Sequence, residues 1–188
     1  MSTSSLLHVR QLALDRCFEF VAPCAPLGSF HGTLPIEPGA VLRDGAGHAQ
    51  VLHFAPRRWL IPTPAEPLYR ELAERDRSGD GALVDVEGKW KWLRLEGPQA
   101  TRILESSVNV HALLFKRSCA AGVLFDCPTI IANDGSNFDC WVMSSYQDSV
   151  LNAMRQVSGD TTAQSAPVTL QVLGEDEMAK AHLLRSSE

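Results

Sequence analysis

Apolar and polar residues change their spacing several times along the chain, and each change marks an element. Residues 49–55, AQVLHFA, and 57–62, RRWLIP, are β-rich runs. Ala55-Pro56-Arg57 joins them, with Pro56 presetting the turn dihedral, and the pair is predicted to form a hairpin. The spacing turns helical in PAEPLYRELAERDRSG: Pro67 falls in the first turn, Leu68 and Leu72 share a face beside Tyr69 and Ala73, and Gly79 closes the helix. GALVDVEGKWKWLRLE then alternates as one strand. Val84, Val86, Trp90 and Trp92 take one side and Asp85, Glu87, Lys89 and Lys91 the other, until Leu93 and Leu95 make the second side apolar as well. That switch predicts a strand entering a two-sided core.

Gly97-Pro98 ends this strand, and Pro98 suits a helix start because its missing N–H would have no partner there. Ala100, Ile103 and Leu104 supply the buried face of that helix. Two extended runs follow, GVLFDCPTIIA and NFDCWVM, separated by Asn133-Asp134-Gly135-Ser136, which suits a tight hairpin. Phe138, Cys140 and Val142 share one face of the second run. Ser145 with Asp148 resembles a capping box, and Val150, Met154 and Val157 repeat at helical spacing until Gly159. PVTLQVLG supplies a closing strand. The order from residue 83 is strand, helix, strand, strand, helix and a final strand, the split βαβ (ferredoxin-like) arrangement of an α+β domain.

The amino-terminal fifty residues carry the weakest pattern. Their segment VAPCAPLGSFHGTLPIEPGAVLRDGAG is dense in Pro and Gly and is expected to be loop with short extended pieces. The organisation that follows is an irregular segment over 1–47, open to covering a partner, an α+β domain over 48–174, and a tail or short helix over 175–188.

Composition narrows the possible partners. At 188 residues with 45% hydrophobic content the chain can bury a core unaided, and a net charge of -5 argues against a nucleic-acid backbone as partner. The amino terminus lacks the apolar centre of a secretory signal, and no apolar run approaches the roughly 18 residues of a membrane span, so a cytoplasmic protein without a membrane partner is expected. Five cysteines, at 17, 24, 119, 127 and 140, show no C-x-x-C spacing and fit buried, reduced thiols.

Candidate chemistry is sparse. No nucleophile-elbow, phosphate-loop, dinucleotide or zinc-protease motif occurs. His48 and His53 are five apart, which does not place two imidazoles on one metal ion. Asp126 lies between Phe125 and Cys127 in an apolar run, where a charge is costly unless paired. It either grips a ligand amine or partner guanidinium, or it faces solvent on an edge strand. Trp90 and Trp92, on one face of their strand, are either core or a stacking platform for a ligand or partner.

The order of these pieces resembles a known family. VLHFAPRRWLIPTP, VDVEGKWKWLRLEGPQATRILE, CAAGVLFDCPTIIANDG and FDCWVMSSYQDSVLNAM together are similar to the gamma subunit of heterotetrameric sarcosine oxidase, within the folate-binding superfamily of the glycine-cleavage T-protein. The best-matched pieces are L-R-L-x-G-P-x-A-x-x-x-L, Leu93 to Leu104, and F-x-x-W-V-x-x-S-Y-x-x-S, Phe138 to Ser149. The likeness spans residues 48 to 157. It implies a domain of the T-protein/sarcosine oxidase gamma type that carries no redox cofactor itself, seated against larger flavin-, haem- or folate-carrying subunits. The complex would oxidise a small N-methyl amine such as sarcosine or dimethylamine. Tetrahydrofolate is the cofactor the superfamily implies, with a catalytic aspartate falling near Asp126. This chain has one acid there in place of a pair, and a shorter connecting loop. The alternatives are a stand-alone tetrahydrofolate-dependent methylene transferase and a folate-binding assembly factor.

Overall fold

The computed structural model describes residues 7–14, 16–23, 30, 32–45, 47–105, 118–135, 137–159 and 170–173. Its strands are β1 (Leu7–Leu12), β2 (Cys17–Val21), β3 (Val41–Arg43), β4 (Ala49–Ala55), β5 (Arg58–Pro62), β6 (Ala82–Asp85), β7 (Trp90–Glu96), β8 (Cys119–Leu124), β9 (Cys127–Asn133), β10 (Phe138–Met143) and β11 (Leu170–Leu173). Among the described residues three helices accompany them: α1 (Glu66–Ser78), α2 (Ala100–Glu105) and α3 (Gln147–Gly159). The strands form a six-stranded sheet ordered β11-β1-β7-β10-β9-β8 and a five-stranded sheet ordered β3-β4-β5-β2-β6. All pairings are antiparallel except β1 with β11. Because β7 and β9 both run antiparallel to β10, they are parallel to each other with β10 between them.

Three buried clusters show how the layers stack. Leu93, Leu95, Phe138, Cys140 and Val142 of the large sheet pack on Ala100, Ile103 and Leu104 of α2 and Val150, Leu151 and Met154 of α3. The opposite face of that sheet, with Trp92, Ile130 and Trp141, meets Ala49, Leu52 and Leu60 of the small sheet. The small sheet's outer face, with Phe20, Trp59 and Ile61, receives Leu72 of α1. Both sheets are therefore covered on both sides, which is why their central strands are near-continuous apolar runs.

Local chemistry explains several elements. The β4–β5 hairpin turns at Pro56-Arg57 as expected, with Arg57 held at φ 59°. Gly79, at φ 83°, closes α1 by taking the left-handed conformation while its N–H donates to the Asp76 carbonyl. Gly135, at φ 99°, serves the β9–β10 hairpin.

Four expectations are corrected. The alternating run from Ala82 to Glu96 is two strands in different sheets: Gly88 at φ 75° turns the chain, and Lys89 N–H donates to Val86 O, 3.0 Å. Val84 consequently lies 48% exposed on the small sheet's edge. The run Gly122 to Ala132 is a hairpin, with Phe125 and Asp126 alone in the turn at φ 49° and 61°. Asp126 is thus exposed at a hairpin tip and not inside a strand. In the amino-terminal segment, β1 and β2 lie inside the two sheets, with Leu7, Val9, Cys17 and Phe20 fully buried, so the irregular 1–47 segment does not describe them. A 3-10 turn, Ser144–Tyr146, enters α3 without a side-chain cap at its start, where Ser144 Oγ instead donates to the Gly88 carbonyl.

Candidate functional site

The face of β7 toward the small sheet carries Trp90, Trp92, Arg94 and Glu96, because side chains alternate along a strand. Cross-strand pairing sets Trp141 opposite Trp92 and Asp139 opposite Arg94 on β10. Trp92 and Trp141 stack at 5.4 Å between ring centres. Asp139, 2% exposed, accepts the Trp92 indole N–H at 3.0 Å and an Arg94 N–H at 3.3 Å. Arg43 reaches the same carboxylate from the small sheet at 3.6 Å. Arg94 also donates to Asp134 at 2.6 Å and to Glu96 at 3.2 Å, and Glu96 pairs with Arg10 of β1. Burial pushes the Asp139 carboxyl above its usual range, opposed by Arg94, the Trp92 N–H and Arg43. The guanidinium groups of Arg10, Arg43 and Arg94 and the carboxylates of Asp134, Asp139 and Glu96 thus form a charged clamp across the two sheets.

Beside the clamp, between Trp92 and Leu12 of the large sheet and the 44–50 and 62–63 segments of the small one, opens a pocket of about 280 Å³. Ala49 and Pro62 extend its apolar wall, and Asp44 and His48 form its polar edge. The His48 ring stands at 89° to Trp92, 6.1 Å away, and its Nδ1 lies 3.4 Å from Asp44. Thr63 closes one side at φ 50°, a left-handed conformation a β-branched residue rarely takes. Its N–H is held by the Arg16 carbonyl at 2.8 Å. A second, more polar pocket of about 320 Å³ lies next to the first, sharing Leu12 and Trp92 and adding Gln11, Glu87, Trp90 and Lys91.

The residues singled out in the sequence separate here. Trp90 and Trp92, 8% and 6% exposed, are core residues whose remaining surface lines these pockets. Asp126 is not part of either pocket's lining. Asp139, Arg94, Asp44 and Thr63 went unseen as site residues. A signal existed only for Asp139, an acid between Phe138 and Cys140 in a run otherwise fit for burial.

Other reactive groups are muted. Burial pushes the Cys17 thiol up to about 12, with Asp85 and Glu19 adding to the effect, and raises Cys140 and Cys127 as well. Thiols so raised stay protonated and are poor nucleophiles. Among the described residues no three His, Cys, Asp or Glu side chains converge to hold a metal ion, and no helix is long and apolar enough to cross a membrane. Cys24 lies outside the described residues.

No family model and no curated protein matches the chain. Solved structures do. A chain of the heterotetrameric sarcosine oxidase from Corynebacterium sp. U-96, solved with pyrrole 2-carboxylate, superposes with TM-score 0.70 at 19% identity, over 88% of this chain and 90% of that one. The glycine cleavage system aminomethyltransferase T from Bartonella henselae superposes with TM-score 0.60 at 14% identity, over 92% of this chain and 49% of that one. The fold is T-protein-like. This T-protein-like chain thus spans about half the length of the aminomethyltransferase but most of the sarcosine oxidase chain.

His53 sits fully buried in β4 and stacks on Trp59 at 4.5 Å. Neither ring nitrogen makes a well-formed hydrogen bond, and burial lowers its pKa, only partly opposed by the carbonyls of Glu37, Pro35 and Ala55. A histidine lowered in the folded state leaves the unfolded chain to take the proton first. Its stabilisation is therefore present above pH 6.5 or so and is lost as pH falls toward the folded value, at up to about 1.4 kcal/mol per pH unit. His53→Phe keeps the stack and is expected to flatten the fall in stability as pH drops below about 6.5, measured by urea unfolding. Equal slopes for both proteins would refute it.

Proposed function

We propose that this chain is a non-redox, gamma-type accessory subunit of a multi-subunit oxidoreductase that demethylates a small N-methyl amine, sarcosine-like or dimethylamine. Larger partner subunits carry the flavin, haem or folate. One observation carries the reading: the chain corresponds nearly end to end, at TM-score 0.70, with a chain of a heterotetrameric sarcosine oxidase. Oxidising an N-methyl group releases formaldehyde, and a folate-binding region at the subunit contact would capture it. In this reading β7, α2 and β9, with β10 between the strands, form the split βαβ unit of the family. Asp126, exposed at the β8–β9 tip, meets a partner guanidinium or amine. The aromatic pair Trp90 and Trp92 supports the contact from within.

Co-expression with the amine-oxidising polypeptides of the native host tests the reading. The expected result is one hetero-oligomer that carries the partners' cofactors and turns over the amine. Elution of this chain as a lone monomer, with the others assembled and fully active, would overturn it.

A second reading, a stand-alone tetrahydrofolate-dependent transferase, draws support from the correspondence with the aminomethyltransferase. Tetrahydrofolate binding by the isolated chain, lost in Asp126→Asn, would favour it over the accessory role.

A further inference from the structure

We infer that β8, the outer strand of the six-stranded sheet, is a docking edge that takes an extended segment of a partner subunit as a further strand. This rests on the accessory-subunit reading and names how the contact is made. β8 stands at the end of the order β11-β1-β7-β10-β9-β8, and its register shows which main-chain groups it turns outward. Asn133 N–H donates to the Ser118 carbonyl at 2.8 Å, and the pairing with β9 continues to Leu124 opposite Cys127. Main-chain groups alternate in direction along an antiparallel strand, so those of Ser118, Ala120, Gly122 and Leu124 face β9. Those of Cys119, Ala121 and Val123 therefore face outward.

The first outward position already pairs in this way: Cys119 N–H donates to the Gly39 carbonyl at 2.9 Å. Ala121 and Val123 come next, and both are exposed, Val123 at 43%. Such an edge is a template for another strand, and proteins blunt edges that stay unpaired with charge, short length or bulges. The small sheet's edges carry these devices. β6 bears Asp85, and its Leu83 N–H donates to the Asp76 carboxylate at 3.4 Å. β3 is three residues long, bears Arg43 and shifts register between Leu42 and Arg43. β8 runs six residues, Cys-Ala-Ala-Gly-Val-Leu, without a charge or a proline.

The surface around the edge sets the chemistry of the guest. Ala121 and Val123 share the face of Cys119, which packs toward the small sheet, so the guest's side chains on that face are apolar and cover Val123. The small side chains of Ala121 and Gly122 let a second backbone lie flat beside β8. Phe125 and Asp126, at φ 49° and 61°, turn the chain in two residues and leave Asp126 exposed just past the outward row. A Lys or Arg at the adjoining end of the guest meets that carboxylate.

The test uses the co-expressed hetero-oligomer of the accessory-subunit experiment. Amide exchange at Ala121 and Val123 is expected to slow at least about tenfold in the complex relative to the chain alone. Val123→Lys, which sets a charge in the outward row, is expected to lower affinity for the partner at least about tenfold. Val84→Lys on the β6 edge, at a side chain 48% exposed, is the control and is expected to assemble like the parent. The exchange readout needs no substitution, so it decides the matter even where Val123→Lys folds poorly. Unchanged exchange at β8 in an assembled complex, equal affinity of Val123→Lys and the parent, or an equal loss in Val84→Lys would each overturn the docking edge and leave the accessory role standing. Failure of the parent chain to assemble would overturn both.

Discussion

Asp139→Ala is expected to cost about 3–5 kcal/mol of unfolding free energy, the range found when one partner of a buried ion network is removed. The carboxylate accepts from the Trp92 indole and Arg94 and pairs with Arg43, so its loss takes a buried counter-charge from two guanidinium groups and the acceptor from an indole N–H between the sheets. Asp139→Asn separates charge from hydrogen bonding. It keeps an acceptor for Trp92 and is expected to lose about 1.5–3 kcal/mol, the contribution of a hydrogen bond to a charged group. Chemical denaturation of the three proteins checks the ordering. Asparagine as stable as the parent would mean that the charge does not hold the sheets together, and an alanine cost no greater than asparagine's would mean that the retained acceptor adds nothing.

Gly81→Ala should be nearly as damaging for a different reason. A Cβ at this position would lie 2.8 Å from Phe20 Cε2, closer still to Cζ, and 2.9 Å from the Val21 carbonyl oxygen. Phe20 cannot move aside: it is fully buried and packed against Phe30 at 5.7 Å and Trp59 at 5.9 Å. Val21 is fixed by the β2–β5 and β2–β6 ladders. The extra methyl is expected to cost about 3 kcal/mol, the upper end of ordinary overpacking. Gly45→Ala, where nothing lies within 4 Å, is the control and should stay within about 0.5 kcal/mol of the parent. Similar losses for the two variants would show that the close approach to Phe20 is not what requires glycine at 81.

Much of the fold could be read from the chain because the signals were local. The Pro67 start and Gly79 stop of α1 are backbone restrictions of single residues, and the structure keeps both. The shared face of Phe138, Cys140 and Val142 and the spacing of Val150 and Met154 follow from the repeat of strand and helix, and all five side chains meet in one cluster. The amino-terminal strands were less legible. β1 and β2 are short, and each is paired with segments far along the chain, β7 and β11 for one and β5 and β6 for the other. Strand propensity reflects the neighbours a strand acquires more than its own residues.

The tripeptide Phe-Asp-Cys occurs twice, at 125–127 and 138–140, and marks where reading by sequence stops. In the first copy Phe125 and Asp126 both adopt positive φ in a two-residue hairpin turn, without the Gly or Asn that usually announces one, and the aspartate faces water. In the second the aspartate lies 2% exposed in a central strand, clamped by Arg94, Arg43 and Trp92.

By itself the sequence determined the mixed α/β character, the Pro67 start and Gly79 stop of α1, the β4–β5 and β9–β10 hairpins and the apolar faces of the later strands, since these depend on residues a few positions apart. Tertiary structure alone decided which aspartate is buried, which sheet each half of the Ala82–Glu96 run joins, and that Asp44, Thr63 and Trp92 surround one pocket. Those outcomes rest on contacts between residues tens of positions apart, and no local pattern encodes the charges and rings that the two sheets bring face to face.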